Sequence, residues 1–281
     1  MLSDGPSVIA ALLTPFDERG HVDAGALQAH VTFLAERGVD GVMTAGTTGE
    51  GALLDPDEVV ATAAAAVSAR GSMSVLAHVG RPATEATIDL GCRALEAGVE
   101  AIVAVVPYYH RLTDDQVSRH FLALMNRCGP ERVLAYTIPA LTVNDLAPAT
   151  ARALAGEGLA GIKDSTKSFR RHLAYLRAAR SSQHVCRVFM GSDELALRSL
   201  RAGSAGVVSA VANCRPDLLV ALRDASRGGR DDDADRLQEE LRRVRGELSR
   251  GPALSGLKRA ATSLLGQAGI EYPAFLRAPL G

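Results

Sequence analysis

The chain has 281 residues, 47% of them hydrophobic, and a formal net charge of −1. That is enough apolar material for one barrel-sized core or two smaller ones, and the balanced charge favours neither nucleic acid nor an anionic membrane. Four dispersed cysteines without a CxxC pair, a first segment lacking the charged and apolar regions of a secretion signal, and no long apolar run leave no disulfide framework, zinc site or spanning helix, so a soluble cytoplasmic protein is expected.

In chain order, Val8–Leu13 is a short apolar run stopped by Thr14-Pro15, which suits a fully buried strand. Asp23 can cap a helix through Arg37, with Leu27, Val31 and Leu34 on one face, ended by Gly38. A strand over 41–45 leads into the loop Gly46-Thr47-Thr48-Gly49-Glu50-Gly51, and Asp55-Pro56-Asp57-Glu58 starts the second helix. The alternation continues with strands over 74–79, 101–106 and 132–138, a short buried strand within 158–165 that ends in Lys163, and strands over 185–190 and 206–210. The helices between them are expected over 82–97, 113–127, 144–155, 166–180 and 193–202. Eight strand–helix units predict a closed (β/α)8 barrel, a TIM barrel, over residues 1–215. An open doubly wound sheet is the alternative, but no GxGxxG follows the first strand.

From Pro216 only helices are expected, a C-terminal extension over 216–281 packed on the barrel. Leu237, Leu241, Val244 and Leu248 form one apolar stripe in an Arg- and Glu-rich stretch, which reads as a helix laid on the barrel with its charges in water.

Chemistry in such barrels gathers where strands end. That rim collects Thr47 and Thr48, Tyr108 to His110, Tyr136 and Thr137, Lys163 and Asp164, Ser192 to Glu194, and Ser209. Lys163 is one of only three lysines in a chain whose other cations are arginines, and it ends an apolar strand. Arginine stays protonated, whereas a desolvated lysine can lose its proton and attack a carbonyl. With three of the five tyrosines on the same rim, the set suits imine chemistry on a 2-oxo acid, the protonated imine acting as electron sink for a neighbouring carbon–carbon bond. A phenol would shuttle protons, and the Gly-Thr-Thr-Gly loop at a helix N-terminus suits a carboxylate. The histidines and carboxylates show no metal-ligand spacing.

Gly46-Thr47-Thr48-Gly49-Glu50, Pro107-Tyr108-Tyr109, Tyr136-Thr137-Ile138-Pro139, Gly161-Ile162-Lys163-Asp164, Gly191-Ser192-Asp193 and Gly206-Val207-Val208-Ser209 occur in that order. From about residue 7 to 275 the chain resembles the dihydrodipicolinate synthase / N-acetylneuraminate lyase family of class I, pyruvate-dependent aldolases. The resemblance implies Lys163 as Schiff-base nucleophile and Tyr136 as general acid/base. It implies Thr47 as a relay to a Tyr109 reaching in from a neighbouring subunit, within a homotetramer. Thr48, with Gly46 in the same loop, would bind the 2-oxo acid carboxylate, and Val208 would shape the pocket through its carbonyl. The implied partners are a small 2-oxo acid and an aldehyde, with no metal or organic cofactor, the covalent imine serving instead.

Departures from the pattern bear on the substrate. Dihydrodipicolinate synthases carry an arginine for the aldehyde's carboxylate where this chain has Leu141. Pro139-Ala140-Leu141 and Asp193-Glu194 resemble the lyase pattern, in which such acids bind polyol hydroxyls. Thr137 and His110 stand where asparagine is usual. The expectation is therefore an aldolase for a 2-oxo-3-deoxy acid of the sugar-acid or hydroxy-oxo-acid type. The alternatives are the synthase reaction with aspartate semialdehyde, a keto-deoxy-sugar-acid dehydratase, and a non-catalytic 2-oxo-acid-binding homologue.

Overall fold

The computed structural model describes residues 5–250 and 254–281. Its strands are β1 (Ser7–Ala11), β2 (Gly41–Thr44), β3 (Ser74–His78), β4 (Ala101–Val105), β5 (Val133–Thr137), β6 (Gly161–Asp164), β7 (Arg187–Met190) and β8 (Gly206–Ser209). All pair in parallel, in sequence order, and β8 closes on β1. This is the expected (β/α)8 barrel. The strands are buried almost throughout, which is why they read as continuous apolar runs rather than alternating ones.

Alternate residues of each strand face the lumen or the helices. Ile9, Met43, Leu76, Val103, Leu134, Phe189 and Val208 fill the lumen, while Val8, Val42, Val75, Ile102, Ile162 and Val188 join the larger core under the helices. The outer helices are α1 (Ala24–Glu36), α2 (Pro56–Ala69), α3 (Thr84–Glu96), α4 (Asp114–Cys128), α5 (Pro148–Gly156), α6 (Phe169–Arg180), α7 (Ala196–Arg201) and α8 (Pro216–Arg227). Asp55 with Glu58, and Thr113 with Gln116, form the capping boxes of α2 and α4.

α8 contacts α7 and β1, so it completes the outer ring. The next helix is α9 (Asp231–Leu248). α9 lays Leu241 and Val244 in the core, flanked by half-buried Leu237 and Leu248, as its stripe predicts. The last helix, α10, runs Ser255–Gln267. The sequence leads to a final helix over 253–265, whose expected start at Ala253 lies outside the described residues. No helix among the described residues is long and apolar enough to cross a membrane.

α5 and α6 start later than expected, because polar side chains there serve the loops. α5 begins at Pro148, not at residue 144. Asn144 Nδ2 donates to the carbonyls of Pro107 and His110, and its Oδ1 accepts from the Leu112 amide at 2.8 Å. Asp145 Oδ1 accepts from the Thr137 hydroxyl and the Leu146 amide. This also accounts for Thr137: fully buried, it satisfies its hydroxyl on Asp145. α6 begins at Phe169 because Thr166 donates its amide and hydroxyl to Asp164 and Lys167 is left-handed, with φ 56°.

Candidate active site

The register across β5, β6 and β7 sets Tyr136 beside Lys163 and Lys163 beside Phe189, all facing the lumen near the strand ends. Lys163 is only 4% exposed. Its Nζ lies 3.9 Å from the centre of the Tyr136 ring and 3.8 Å from Met43 Sδ. Neither contact is an anion. Burial therefore moves the Lys163 amine below the ordinary lysine value, opposed by the Tyr136 phenol. A Cβ at position 46 would stand 2.5 Å from Met43 Cε, so a side chain there would require the flexible end of Met43 to shift under the amine.

The loop after β2 is tightly folded. Ala45 and Glu50 both adopt left-handed backbone, φ 52° and 56°, at a cost of about 1–3 kcal/mol each. The Gly51 amide donates to the Gly46 carbonyl at 3.0 Å, the Glu50 amide to the Thr47 carbonyl at 3.2 Å, and the Thr14 hydroxyl to the Gly49 carbonyl at 2.6 Å. Any side chain at Gly51 would collide with the Ala45 carbonyl, 1.6 Å from an ideal Cβ. The loop presents Thr47 and Thr48 to the lumen, and Thr47 Oγ1 stands 3.4 Å from the Tyr136 hydroxyl. His78 lies edge-on to Tyr136 and its Nδ1 is 3.1 Å from the Ala45 carbonyl. Burial, and then the charges of Lys163 and Arg81, push His78 down to about 3, so its ring is neutral near pH 7.

These groups line a cavity of about 830 Å³, in the size range of small-molecule sites. Thr47, Thr48, Tyr136, Lys163, Val208, Asp193 and Glu194, all expected from the sequence, meet in it. Burial raises the Asp193 carboxyl, opposed by the Ser209 hydroxyl and by Arg245, whose Nε is 3.8 Å away. Gly46 is in the loop but does not line the cavity. Leu141, 62% exposed, lies outside it, and Ala140 and Ile138 form that wall instead. Tyr109 is 79% exposed, with φ 81°, and does not line this chain's cavity.

Sequence reasoning missed the outer wall. Lys167 comes from the β6–α6 loop, and Arg242, Arg245 and Ser249 come from α9 and its C-terminal end. Arg245 donates to the Ser249 hydroxyl at 2.8 Å. The signal was present: 242, 245 and 249 share one helix face, beside the apolar stripe at 241, 244 and 248.

Asp164, next to Lys163, points the other way, into the core. Its carboxylate takes His172 Nδ1 at 3.0 Å and the Thr166 hydroxyl at 2.7 Å, and His172 Nε2 meets the Ser204 hydroxyl at 2.6 Å. Asp164, His172 and Ser204 are buried, with Thr166 half-buried at the edge, so the network acts on β6 rather than on substrate. Asp164→Ala leaves His172 and Thr166 without an acceptor and is expected to destabilise the fold by about 3 kcal/mol. A urea midpoint unchanged from that of the parent protein would contradict this.

A family model described as the Dihydrodipicolinate synthetase family matches residues 5–281. An uncharacterized DapA-like lyase of Halobacterium salinarum is 35% identical over 277 residues, 97% of this chain and 87% of that protein. The N-acetylneuraminate lyase of Rhizobium meliloti is 32% identical, covering 94% of this chain and 85% of its own. The crystal structure of KD(P)GA from T. tenax superposes with a TM-score of 0.87 at 30% identity, covering 98% of this chain and 92% of that one. The chain belongs to the dihydrodipicolinate synthetase family and is a lyase of the pyruvate aldolase type.

Proposed function

We propose that the chain cleaves, or forms, a 2-oxo-3-deoxy acid through an imine on Lys163, with pyruvate as the product or substrate common to both directions. The observation that carries this reading is the buried Lys163 Nζ, held between Met43 and the Tyr136 ring with no anion at either contact. In the cleavage direction the neutral amine adds to the C2 carbonyl and the Tyr136 phenol gives its proton to the departing hydroxyl, so that water leaves and a protonated imine faces a Tyr136 phenolate. Tyr136 takes the proton of the C4 hydroxyl, the C3–C4 bond breaks, and its electrons enter the imine to give an enamine. The aldehyde leaves. Protonation at C3 and hydrolysis then return pyruvate and the free amine. Thr48 and the loop amides hold the C1 carboxylate, Thr47 relays protons to Tyr136, and Val208 shapes the inner wall. No metal or organic cofactor takes part. The exposure of Tyr109 supports its serving the cavity of a neighbouring copy, within a homotetramer.

The outer cavity points to the aldehyde half. Asp193 and Glu194 suit hydroxyls, and Arg242, Arg245 and Lys167 suit an anionic group at the far end. This favours aldehydes derived from sugar acids over aspartate semialdehyde, for which position 141 offers only an exposed leucine.

The test is to incubate the protein with pyruvate, reduce with borohydride, and locate the added mass by peptide mass spectrometry. An adduct on Lys163 is expected, and folded protein with no adduct would defeat the reading. In a screen of aldehydes with pyruvate, a hydroxylated, anionic-ended aldehyde is expected to exceed aspartate semialdehyde in kcat/KM by about tenfold or more. The reverse order would assign the synthase reaction instead.

A further inference from the structure

The strained loop that carries Thr47 and Thr48 is tied to the far end of the chain. Glu50 and Lys258 are fully buried side chains whose Oε1 and Nζ lie 2.7 Å apart. The same Nζ donates to the Phe275 carbonyl and lies over the Phe16 ring, while Glu50 Oε2 accepts from the Arg277 amide at 2.9 Å. Arg277 then grips what surrounds the loop. Its guanidinium reaches the Leu53 carbonyl at 3.0 Å, both oxygens of Glu58 near the start of α2, and the Gly20 carbonyl before α1. α10 and the segment over 268–281 thus form a strap whose one buried ion pair ends on the loop.

A buried ion pair is a poor way to add stability, because desolvation offsets the attraction and apolar replacements of similar size are often neutral or better. What such a pair does well is fix one geometry. Glu50 is also one of the two non-glycine residues of this loop in the left-handed region, a conformation that persists only where the surroundings over-determine it. Thr47 is three residues away and accepts the Glu50 amide through its carbonyl. We propose that the Glu50–Lys258 pair, with the Arg277 strap, is a positioning device that holds Thr47 and Thr48 in register for the 2-oxo acid carboxylate. Neither residue touches substrate; both act through the loop. The inference rests on the reading of Thr48 as the carboxylate ligand.

The test compares the parent protein with Glu50→Met/Lys258→Met, which keeps the volume and removes both charges together, in the full-length chain. Three measurements are made: the melting temperature, the pyruvate concentration giving half-maximal borohydride trapping on Lys163, and the half-saturation for aldehyde. The expected result is a melting temperature within a few degrees of the parent's, trapping that needs about tenfold more pyruvate, and an unchanged aldehyde half-saturation. A stable double variant with parental pyruvate saturation would overturn the proposal. So would equal losses for pyruvate and aldehyde, which signal general loosening. If the double variant does not fold, Arg277→Gln, at a partly exposed site, carries the same comparison; parental pyruvate saturation overturns the proposal there too. Absence of any adduct in the parent protein would defeat the aldolase reading itself, which separates the two failures.

Discussion

Lys163→Ala should abolish pyruvate trapping and reduce aldol turnover by at least about 10⁴-fold, the scale of losing a covalent nucleophile. Neither of the other two lysines is placed to replace it: Lys167 lies on the outer wall of the cavity, and Lys258 is buried against Glu50. Residual turnover above a few per cent would mean that the imine is not on the path. The pH dependence follows from the same burial. Attack needs the neutral amine, and burial lowers the Lys163 pKa from its ordinary 10.5. The rising limb of the trapping rate should therefore lie at lower pH than for a free lysine side chain. The stability consequence has the opposite sign. Below 10.5 the unfolded chain binds the proton more readily than the folded one, so the buried amine weakens the fold. That penalty is full below the folded pKa and fades as pH rises towards 10.5. Lys163→Met, inactive for the reason above, should raise the melting temperature at pH 7, and the difference should narrow at pH 10. A methionine variant less stable than the parent at pH 7 would show that the amine is better solvated than its burial implies.

Much of this was legible in the sequence, and for a physical reason. Parallel strands covered on both faces read as short apolar runs, and Gly38, Gly98, Gly129 and Gly203, each with positive φ, stop helices or follow their ends. The periodicity therefore counted the barrel correctly. Lys163 stood out because the chain uses arginine almost everywhere else. What stayed hidden depends on tertiary contacts. The stripe on α9 told which face meets the barrel, but not that the neighbouring face overhangs the strand ends and carries Arg242 and Arg245 into the cavity. Asn144 looked like the first residue of a helix, yet its amide serves the carbonyls of Pro107 and His110, more than 30 residues earlier. Glu50 and Lys258 are 208 positions apart, and neither lies in a pattern that predicts burial. Leu141 shows both sides: its identity removes an arginine, but only the structure shows that the side chain leaves the cavity wall to Ala140.

Tyr136→Phe is expected to lower turnover by about 10²- to 10⁴-fold, the range for a displaced general acid/base, while leaving the fold and the imine site intact. The ring supplies the packing: it meets Lys163 Nζ at 3.9 Å and the edge of His78, and both contacts survive in phenylalanine. The hydroxyl's contact with Thr47 Oγ1 is long, 3.4 Å, so its removal should change the melting temperature little. Pyruvate should therefore still be trapped on Lys163, more slowly because the water-losing step has no phenol to assist it, whereas carbon–carbon cleavage should nearly stop. Thr47→Val probes the next link. It leaves the Tyr136 hydroxyl in place but without its partner, and should cost about tenfold. The order matters more than either figure. Were Thr47→Val as damaging as Tyr136→Phe, the proton would depend on the threonine and the groups beyond it. Were Tyr136→Phe within a few-fold of the parent, the proton at C4 would have to go elsewhere. Thr47 itself is then the polar group best placed to carry it, since His78 is held neutral behind the ring and bonded to the Ala45 carbonyl.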